Sequence, residues 1–205
     1  MSRNRLVLAS SNAGKRRELK ALLADVSIEV VSLDEAGPVQ FPEEGEEYLA
    51  NAVEKARAAA NQLGCWAIAD DSGLEVEGLG GAPGPLSARY GGPGLDDAAR
   101  AAYLLEALAL RSNASRKARF VCVAALVSPE GQVKSARGEC PGRILVAPKG
   151  IHGFGYDPIF EPDGFSVSMA ELSSSEKDLL SHRGVALAAL RPEIVKMQNQ
   201  GDDGG

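Results

Sequence analysis

The sequence predicts an α/β fold in which two lobes share a mixed, twisted central sheet flanked by helices. Early in the chain, apolar runs of strand length alternate with segments of helical spacing, which is typical of α/β proteins. Residues 120–146 hold two consecutive strand-like stretches, which predict an antiparallel hairpin or meander and hence a mixed sheet. The 205 residues suffice for two closely packed lobes. A cleft between lobes is the natural place for a ligand.

The first half of the chain alternates predicted strands and helices. Short apolar runs indicate the strands, while leucine spacing or a high content of Ala, Glu, Lys and Arg indicates the helices. The predicted elements are a strand at Leu6–Ala9, a helix at Gly14–Ala24, a strand at Ile28–Val31, a loop at Leu33–Gly45, a helix at Glu46–Leu63 and a strand at Trp66–Ala69.

The second half begins with a half-exposed strand and a loop rich in glycine and proline. The predicted elements are a strand at Leu74–Glu77, a loop at Gly78–Pro93, a helix at Leu95–Arg111, strands at Phe120–Val127 and Gln132–Val146, and a helix at Ser173–Met197 interrupted near Ser181–Gly184 and at Pro192. Ser173 and Glu176 have capping-box spacing. Residues 1–198 are expected to form a single domain of two intertwined lobes, and residues 199–205 a disordered tail.

Composition excludes several classes of partner. The formal net charge of −6 argues against a broad basic face for nucleic acid, although it permits a small anionic ligand. The three cysteines lack C-x-x-C spacing, which is typical of reduced thiols in a cytosolic protein. No apolar run approaches the length of a signal peptide core or a membrane span. We therefore expect a cytoplasmic protein with no membrane or nucleic-acid partner.

Two adjacent carboxylates, Asp70 and Asp71, follow the apolar run Trp66–Ala69. Two acids at the end of a buried strand repel each other and are costly to desolvate. A hard cation relieves that cost, because carboxylate oxygens are the ligands that Mg²⁺ prefers. The pair therefore indicates a metal site at a strand end. A polar turn is the alternative, since Asp-Asp-Ser-Gly is also good turn chemistry.

A loop of small residues joins the first predicted strand to the first helix. It consists of Ser10, Ser11, Asn12, Ala13, Gly14 and Lys15. Small residues let backbone N–H groups approach an anion, and the helix N-terminus adds positive potential. Lys15 supplies a point charge. The loop is a candidate phosphate site, although its spacing is not that of a Walker A loop. An ordinary strand–turn–helix capped by Asn12 is the alternative.

Acidic residues also precede the predicted helix Glu46–Leu63. They are Glu43, Glu44, Glu46 and Glu47, on either side of Gly45. A favourable interaction with the helix dipole accounts for most of them. One of them could complete a metal site with Asp71, but spacing alone does not select it.

A late cluster places aromatic and acidic residues among glycines, at Gly153–Phe160. Phe154 can stack on a flat ring, and Asp157 can accept hydrogen bonds from a base or a sugar. A β-turn with aromatic packing is the alternative. Further on, His182 and its neighbours interrupt a helical pattern and offer several donors, which suit a carbonyl-bearing base or a phosphate. A lone histidine is more often structural.

These pieces together resemble one family, the inosine/xanthosine triphosphate pyrophosphatases, from about Leu6 to Leu190. Members hydrolyse non-standard purine nucleoside triphosphates to the monophosphate and pyrophosphate. Six blocks in the family's order make the resemblance specific. They are Ser10–Lys15, Asn51-Ala52 with Lys55-Ala56, Ala69–Leu74, Gly80–Gly84 with Ser87–Tyr90, Gly153–Pro158 and Ser181–Gly184.

The resemblance implies a role for each matching residue. Ser10, Ser11, Asn12, Ala13, Gly14 and Lys15 would bind the triphosphate, with Lys15 also neutralising charge on the leaving group. Asp71 would hold Mg²⁺ and act as the base, Glu43 would be the second metal ligand, and Ser72 would contact the substrate. Phe154, Gly155, Tyr156 and Asp157 would contact base and sugar, Lys177 the nucleotide, and His182 with Arg183 the base. The implied assembly is a homodimer with a deep cleft between the lobes of each chain.

The chain departs from the family pattern before the long helix. Glu43-Glu44-Gly45 replaces the more usual Glu-Thr-Gly, which makes Glu44 a rival to Glu43 as the metal ligand. Three other functions remain alternatives: a pyrophosphatase for pyrimidine or modified nucleotides, a general metal phosphohydrolase, and a non-catalytic nucleotide sensor. The acids Asp70 and Asp71 favour an enzyme, because a sensor does not need them.

Overall fold

The computed structural model describes residues 5–202, with side chains through Met197, and within that range seven strands form a mixed sheet. The strands are β1 (Arg5–Leu8), β2 (Glu29–Ser32), β3 (Trp66–Val76), β4 (Pro83–Gly84), β5 (Lys117–Val127), β6 (Val133–Ile144) and β7 (Phe160–Pro162). Their order is β2-β1-β3-β5-β6-β7, with β4 paired to β3. β1 is parallel to β2 and β3, whereas β4 and β7 run antiparallel to β3 and β6. The predicted α/β class and mixed sheet are confirmed.

Six α-helices occur in the described range. They are α1 (Ala13–Leu22), α2 (Leu33–Ala36), α3 (Tyr48–Leu63), α4 (Asp97–Ala109), α5 (Ser174–Leu180) and α6 (His182–Asp202). Asn12 caps α1 by accepting a hydrogen bond from the backbone N–H of Lys15. The predicted capping box of Ser173 and Glu176 is present at the start of α5. None of these helices is long and apolar enough to cross a membrane.

The chain divides into two compact units, each assembled from separate segments. The first unit takes residues 1–71, 122–138 and 183–205, so it holds the N-terminal half of β3 and nearly all of α6. Its core joins buried side chains of β1, β3 and β5 to those of α1 and α6. The fully buried members include Leu6, Leu19, Ile68, Leu126 and Ile194. This core fixes α1 and α6 against the strands.

The second unit takes residues 72–121 and 139–182. Its core packs side chains of α4 against the C-terminal half of β3 and against β7. Leu74, Leu104, Ile159 and Phe160 are fully buried there. The rings of Phe120 and Phe160 lie 4.5 Å apart between centroids.

The prediction that a strand ends at Ala69 is wrong. β3 continues through Asp70 and Asp71 to Val76, and so absorbs the separate strand predicted at Leu74–Glu77. The prediction assumed that two carboxylates cannot stay inside a strand. They can here because each one is bound by cationic or amide side chains from helices, as described below.

Three further predictions differ from the structure. The predicted loop Leu33–Gly45 contains α2, because Ser32 and Glu35 form a capping box. Pro192 lies inside α6 without ending it, since buried residues on both sides hold the helix against one core. The predicted tail 199–205 is helical as far as Asp202, and residues 203–205 lie outside the described range.

Candidate active site

The predicted site residues are divided between the two units. The first unit holds Ser10–Lys15, Glu43, Asp71 and Arg183, and the second holds Ser72, Phe154–Asp157, Lys177 and His182. The cleft predicted between the lobes stays a prediction.

The small-residue loop connects β1 to α1 in the first unit. Asn12 donates its backbone N–H to Ser10 Oγ at 3.2 Å, and its side-chain Oδ1 accepts the Lys15 N–H at 3.0 Å. The first N–H groups of a helix have no acceptor within the helix, so those of α1 other than the Lys15 N–H, which Asn12 caps, can bind an anion. Ser11, Asn12 and Ala13 are exposed. The predicted loop therefore has the local geometry of an anion site.

Asp71 is held by two side chains of α3. Asn51 donates from Nδ2 to Asp71 Oδ2 at 2.8 Å, and Lys55 Nζ lies 3.4 Å from Asp71 Oδ1. The same Lys55 ammonium binds Glu44 Oε1 at 2.6 Å. Asn51 also bonds both backbone groups of Gly45, at 2.8 and 3.0 Å, which ties the acidic segment to α3. Two carboxylates, those of Asp71 and Glu44, thus converge on one cation.

Lys55 is a fixed positive charge. Burial by itself lowers the pKa of Lys55, but attraction to Asp71, Asp70 and Glu44 outweighs burial and raises the pKa above its usual 10.5. Lys55 therefore stays protonated at neutral pH. It neutralises carboxylates and cannot serve as a general base.

Two cations of the first unit, Lys15 and Arg183, bind Asp70. Arg183 donates from Nη2 and Nε to Asp70 Oδ2 at 3.0 and 3.3 Å. Lys15 Nζ lies 3.1 Å from the same oxygen and 3.4 Å from the backbone carbonyl oxygen of Asp70. Arg183 also binds Glu18 of α1 through Nη1. Asp70 therefore joins the cation of the anion loop to the start of α6.

Arg183 is completely buried in this ion cluster, with 1% of the residue exposed. Burial lowers its pKa, but the carboxylates of Asp70 and Glu18 outweigh that effect, and the pKa lies above its usual value. The guanidinium is permanently charged and oriented by two acids. Its predicted contact with a base stays a prediction, and what the structure adds is a role in holding Asp70.

Asp157 organises the turn in the second unit. Its Oδ2 accepts the Phe154 N–H at 2.8 Å and binds Lys177 Nζ at 2.5 Å. The Phe154 ring lies 5.2 Å from Lys177 Nζ, a cation–π distance. Gly153 has φ +77°, and a Cβ there would come within 2.0 Å of Asp157 Oδ2, so the turn requires glycine. The structure therefore brings Phe154, Asp157 and Lys177 together, and their predicted contacts with a nucleotide stay a prediction.

Two contacts anchor this turn to the rest of the second unit. Gly155 donates its N–H to Asp97 Oδ2, at the start of α4, at 2.7 Å. Tyr156 donates its hydroxyl to the Ser87 carbonyl at 2.9 Å, and burial raises the pKa of Tyr156, which keeps it a donor.

The His182 ring stacks on Phe120, with centroids 4.8 Å apart and an interplanar angle of 11°. That stacking orients the imidazole.

The first unit has donors suited to Mg²⁺. In the described residues, no group of three or more His, Cys, Asp and Glu side chains has metal-binding geometry. Mg²⁺ needs only one or two carboxylates, because it retains water ligands. The carboxylates of Asp71 and Glu44 both contact the ammonium of Lys55, so they lie near each other. Glu43 and Glu44 both line a surface cavity of about 290 Å³ next to Asn51 and Lys55. This donor set fits the ion.

Four residues of these networks were not assigned a function from the sequence: Glu18, Asn51, Lys55 and Asp97. Asn51 and Lys55 did leave a signal, because they lie four residues apart on an alanine-rich helix and so share one face. That face is buried. Asp97 left none, since an acid in the first turn of a helix is common for dipole reasons alone. Glu18 left none either, because its partner Arg183 lies 165 residues away in the sequence.

Fold and site together define a class: an α/β protein whose candidate anion loop lies beside two buried, cation-paired carboxylates. The profile of the Ham1 family matches residues 6–193. A dITP/XTP pyrophosphatase from Deinococcus deserti is 49% identical, covering 91% of this chain and 87% of the relative. One from Desulfotalea psychrophila is 45% identical, covering 95% and 88%.

Solved structures agree with the sequence relatives. A HAM1 protein from Coxiella burnetii superimposes with a TM-score of 0.84 at 40% identity, covering 94% of this chain and 98% of that protein. A nucleoside-triphosphatase / dITP/XTP pyrophosphatase from Mycobacterium abscessus gives a TM-score of 0.72 at 44% identity, covering 92% and 99%. The chain belongs to the Ham1 family.

We predict that Arg183→Gln destabilises the protein strongly. The substitution leaves the buried Asp70 carboxylate without its guanidinium, and removing one partner of a buried ion pair costs about 3–5 kcal/mol. Urea unfolding followed by circular dichroism measures the loss. Arg191→Gln is the matched control, because Arg191 lies on the same helix in an exposed pair with Asp25. Equal midpoints for the two variants would contradict the prediction.

Proposed function

We propose that this chain is a nucleoside triphosphate pyrophosphatase that hydrolyses ITP, dITP and XTP to the monophosphate and pyrophosphate. One observation carries the proposal. Lys15 of the anion loop is bound to Asp70, and the next residue along β3 is Asp71, whose carboxylate faces Glu44 across Lys55. The cation proposed to bind polyphosphate is thus paired with Asp70, and the carboxylate proposed to orient water belongs to the next residue of β3. The names of the closely similar relatives support the same activity.

The proposed reaction is attack of water on the α-phosphorus. Asp71 orients the water and accepts its proton, while the bond from the α-phosphorus to the bridging oxygen breaks and pyrophosphate leaves. Lys15 and the N–H groups of the loop stabilise the charge that develops on pyrophosphate. Asp71, with Glu43 or Glu44, would hold Mg²⁺, which when bound polarises phosphate and lowers the pKa of water.

Base selection is proposed for the second unit together with the start of α6. Phe154 offers a ring for stacking, and the Asp157–Lys177 pair fixes that ring. Hypoxanthine and xanthine carry a 6-oxo acceptor where adenine carries an amino donor. Donors from His182 and Arg183 would pair with the oxo group and be left unpaired by adenine. Each unpaired buried donor costs about 1–3 kcal/mol, so two give discrimination on the order of 10²-fold or more.

The remaining expectations are part of the same proposal. Mg²⁺ is the proposed cofactor, the proposed assembly is a homodimer, and the proposed location is the cytoplasm. They rest on the family resemblance and, for Mg²⁺, on the cavity that Glu43 and Glu44 line beside Asn51 and Lys55, the two residues that hold Asp71.

We predict that the purified protein with Mg²⁺ releases pyrophosphate as the first product from ITP, dITP and XTP. Turnover of ATP is expected to be at least about 10²-fold lower, because the 6-amino group leaves buried donors unpaired. Quantification of pyrophosphate and orthophosphate across a panel with GTP, UTP and dTTP tests this.

The same panel separates the alternatives. Orthophosphate as the first product would indicate a general phosphohydrolase. Preference for UTP or dTTP would indicate a pyrimidine pyrophosphatase. Nucleotide binding without product would indicate a sensor. Any of these three results would contradict the proposal.

We predict that Glu43→Gln raises the Mg²⁺ concentration needed for half-maximal activity by about tenfold or more, as loss of a metal ligand does. Glu44 is already bound to Lys55, whereas Glu43 is exposed on the wall of the same cavity. Glu44→Gln should therefore change the Mg²⁺ requirement less. Glu47→Gln, which removes an exposed acid from the same segment, is the control. A larger shift in Glu44→Gln would assign the metal to Glu44 instead.

A further inference from the structure

The side chain of Arg16 binds two carbonyl oxygens of the anion loop, Ser10–Lys15. Its Nη1 donates to the carbonyl oxygens of Ser10 and Ser11 at 3.2 and 2.9 Å. Its Nη2 lies 3.4 Å from Asp34 Oδ2 in α2. The guanidinium therefore spans from the loop to a second helix of the first unit. None of these contacts is made by the neighbouring Arg17, which is exposed.

These contacts fix the direction of the loop's peptide groups. In a trans peptide the C=O and the following N–H point in opposite directions. Because the Ser10 and Ser11 carbonyls both turn toward Arg16, the N–H groups of Ser11 and Asn12 turn away from it. The Asn12 N–H accordingly meets Ser10 Oγ at 3.2 Å. Arg16 thus sets which face of the loop presents donors.

The arrangement also removes an electrostatic obstacle. Carbonyl oxygens repel an anion, so a phosphate loop must keep them away from the ligand and neutralise them. Arginine suits this task because its planar fork can bind several acceptors at once. Asp34, whose side chain is 79% exposed, holds the far end of the fork. The capping box of Ser32 and Glu35 fixes the turn that carries Asp34.

We propose that Arg16 is a positioning residue for the polyphosphate site: it binds the Ser10 and Ser11 carbonyl oxygens and so directs the Ser11 N–H toward the phosphates, without itself touching them, while the Asn12 N–H is held by Ser10 Oγ. The inference rests on the proposed function, since it assigns Arg16 to the same loop. The inference adds Arg16, which binds carbonyl oxygens of the loop, to Lys15, whose ammonium binds Asp70.

Arg16→Gln and Arg17→Gln form a matched pair, because each removes one positive charge at adjacent positions of α1. We expect Arg16→Gln to raise KM for ITP about tenfold with a smaller change in kcat, as loss of charge-assisted hydrogen bonds that orient a binding site would do. The Kd for inorganic pyrophosphate with Mg²⁺, measured by calorimetry, should rise by a similar factor. Arg17→Gln should change KM for ITP and the Kd for pyrophosphate by less than about twofold, because Arg17 is exposed and its charge is solvated.

Two more variants separate positioning from charge and from folding. Arg16→Lys keeps the charge but has no fork, so it should recover only part of the affinity. Asp34→Asn leaves Arg16 in place with its far end unpaired, and should raise the pyrophosphate Kd in the same direction by a smaller factor. If Arg16→Gln does not fold, Arg16→Lys and Asp34→Asn test the role of Arg16 through KM for ITP and the Kd for pyrophosphate.

The outcomes distinguish this inference from the proposed function. If the wild type does not release pyrophosphate from ITP but binds pyrophosphate in an Arg16-dependent way, the proposed function fails and the role of Arg16 stands. If the wild type is active and Arg16→Gln matches Arg17→Gln in both constants, the role of Arg16 is overturned. Full recovery by Arg16→Lys would also overturn it, because charge alone would then suffice.

Discussion

The burial of two adjacent carboxylates inside β3 constrains the whole first unit. Successive side chains of a strand point to opposite faces of the sheet, so Asp70 and Asp71 form their hydrogen bonds and ion pairs with different residues. Asp70 is bound by Lys15 and Arg183, from the α1 and α6 side, while Asp71 is bound by Asn51 and Lys55 of α3. Each face therefore needs its own cation, brought by its own helix. The helices α1, α3 and α6 must therefore lie where their cations reach these two carboxylates.

This division gives the two acids different work. Asp70 lies among permanent cations and holds Lys15, so it joins the anion loop to the core of the first unit. Asp71 faces Glu44 across Lys55, and its partners Asn51 and Lys55 both line the surface cavity of the acidic segment. Two contacts fix the loop. Asp70 binds the ammonium of Lys15, and Arg16 binds the carbonyl oxygens of Ser10 and Ser11. A rigid loop loses little conformational entropy on binding a flexible polyphosphate, and this favours affinity.

The sequence predicted most helices and strands, because their periodicity and caps are local. It did not predict that β3 continues through Asp70, since the partners that offset the desolvation of that carboxylate come from positions 15 and 183. Local pattern shows the cost of a buried acid but not the distant cation that compensates it. Phe154 and Asp157 could be grouped from the sequence because they lie three residues apart in one glycine-rich segment, whereas the contact of Lys177 with Asp157 joins residues twenty positions apart. The contact of Arg183 with Asp70 and Glu18 depends on three-dimensional placement and could not be predicted.

The most direct test of this account compares Asp70→Asn with Asp71→Asn, measuring both the free energy of unfolding in urea and kcat for ITP. Asp70→Asn should lose about 3–5 kcal/mol of stability, because it breaks a buried ion cluster. Asp71→Asn should lower kcat by about 10²–10⁴-fold, as loss of a general base does, with a smaller loss of stability. Near-normal turnover in Asp71→Asn, or equal losses of stability and activity in the two variants, would contradict the division of roles.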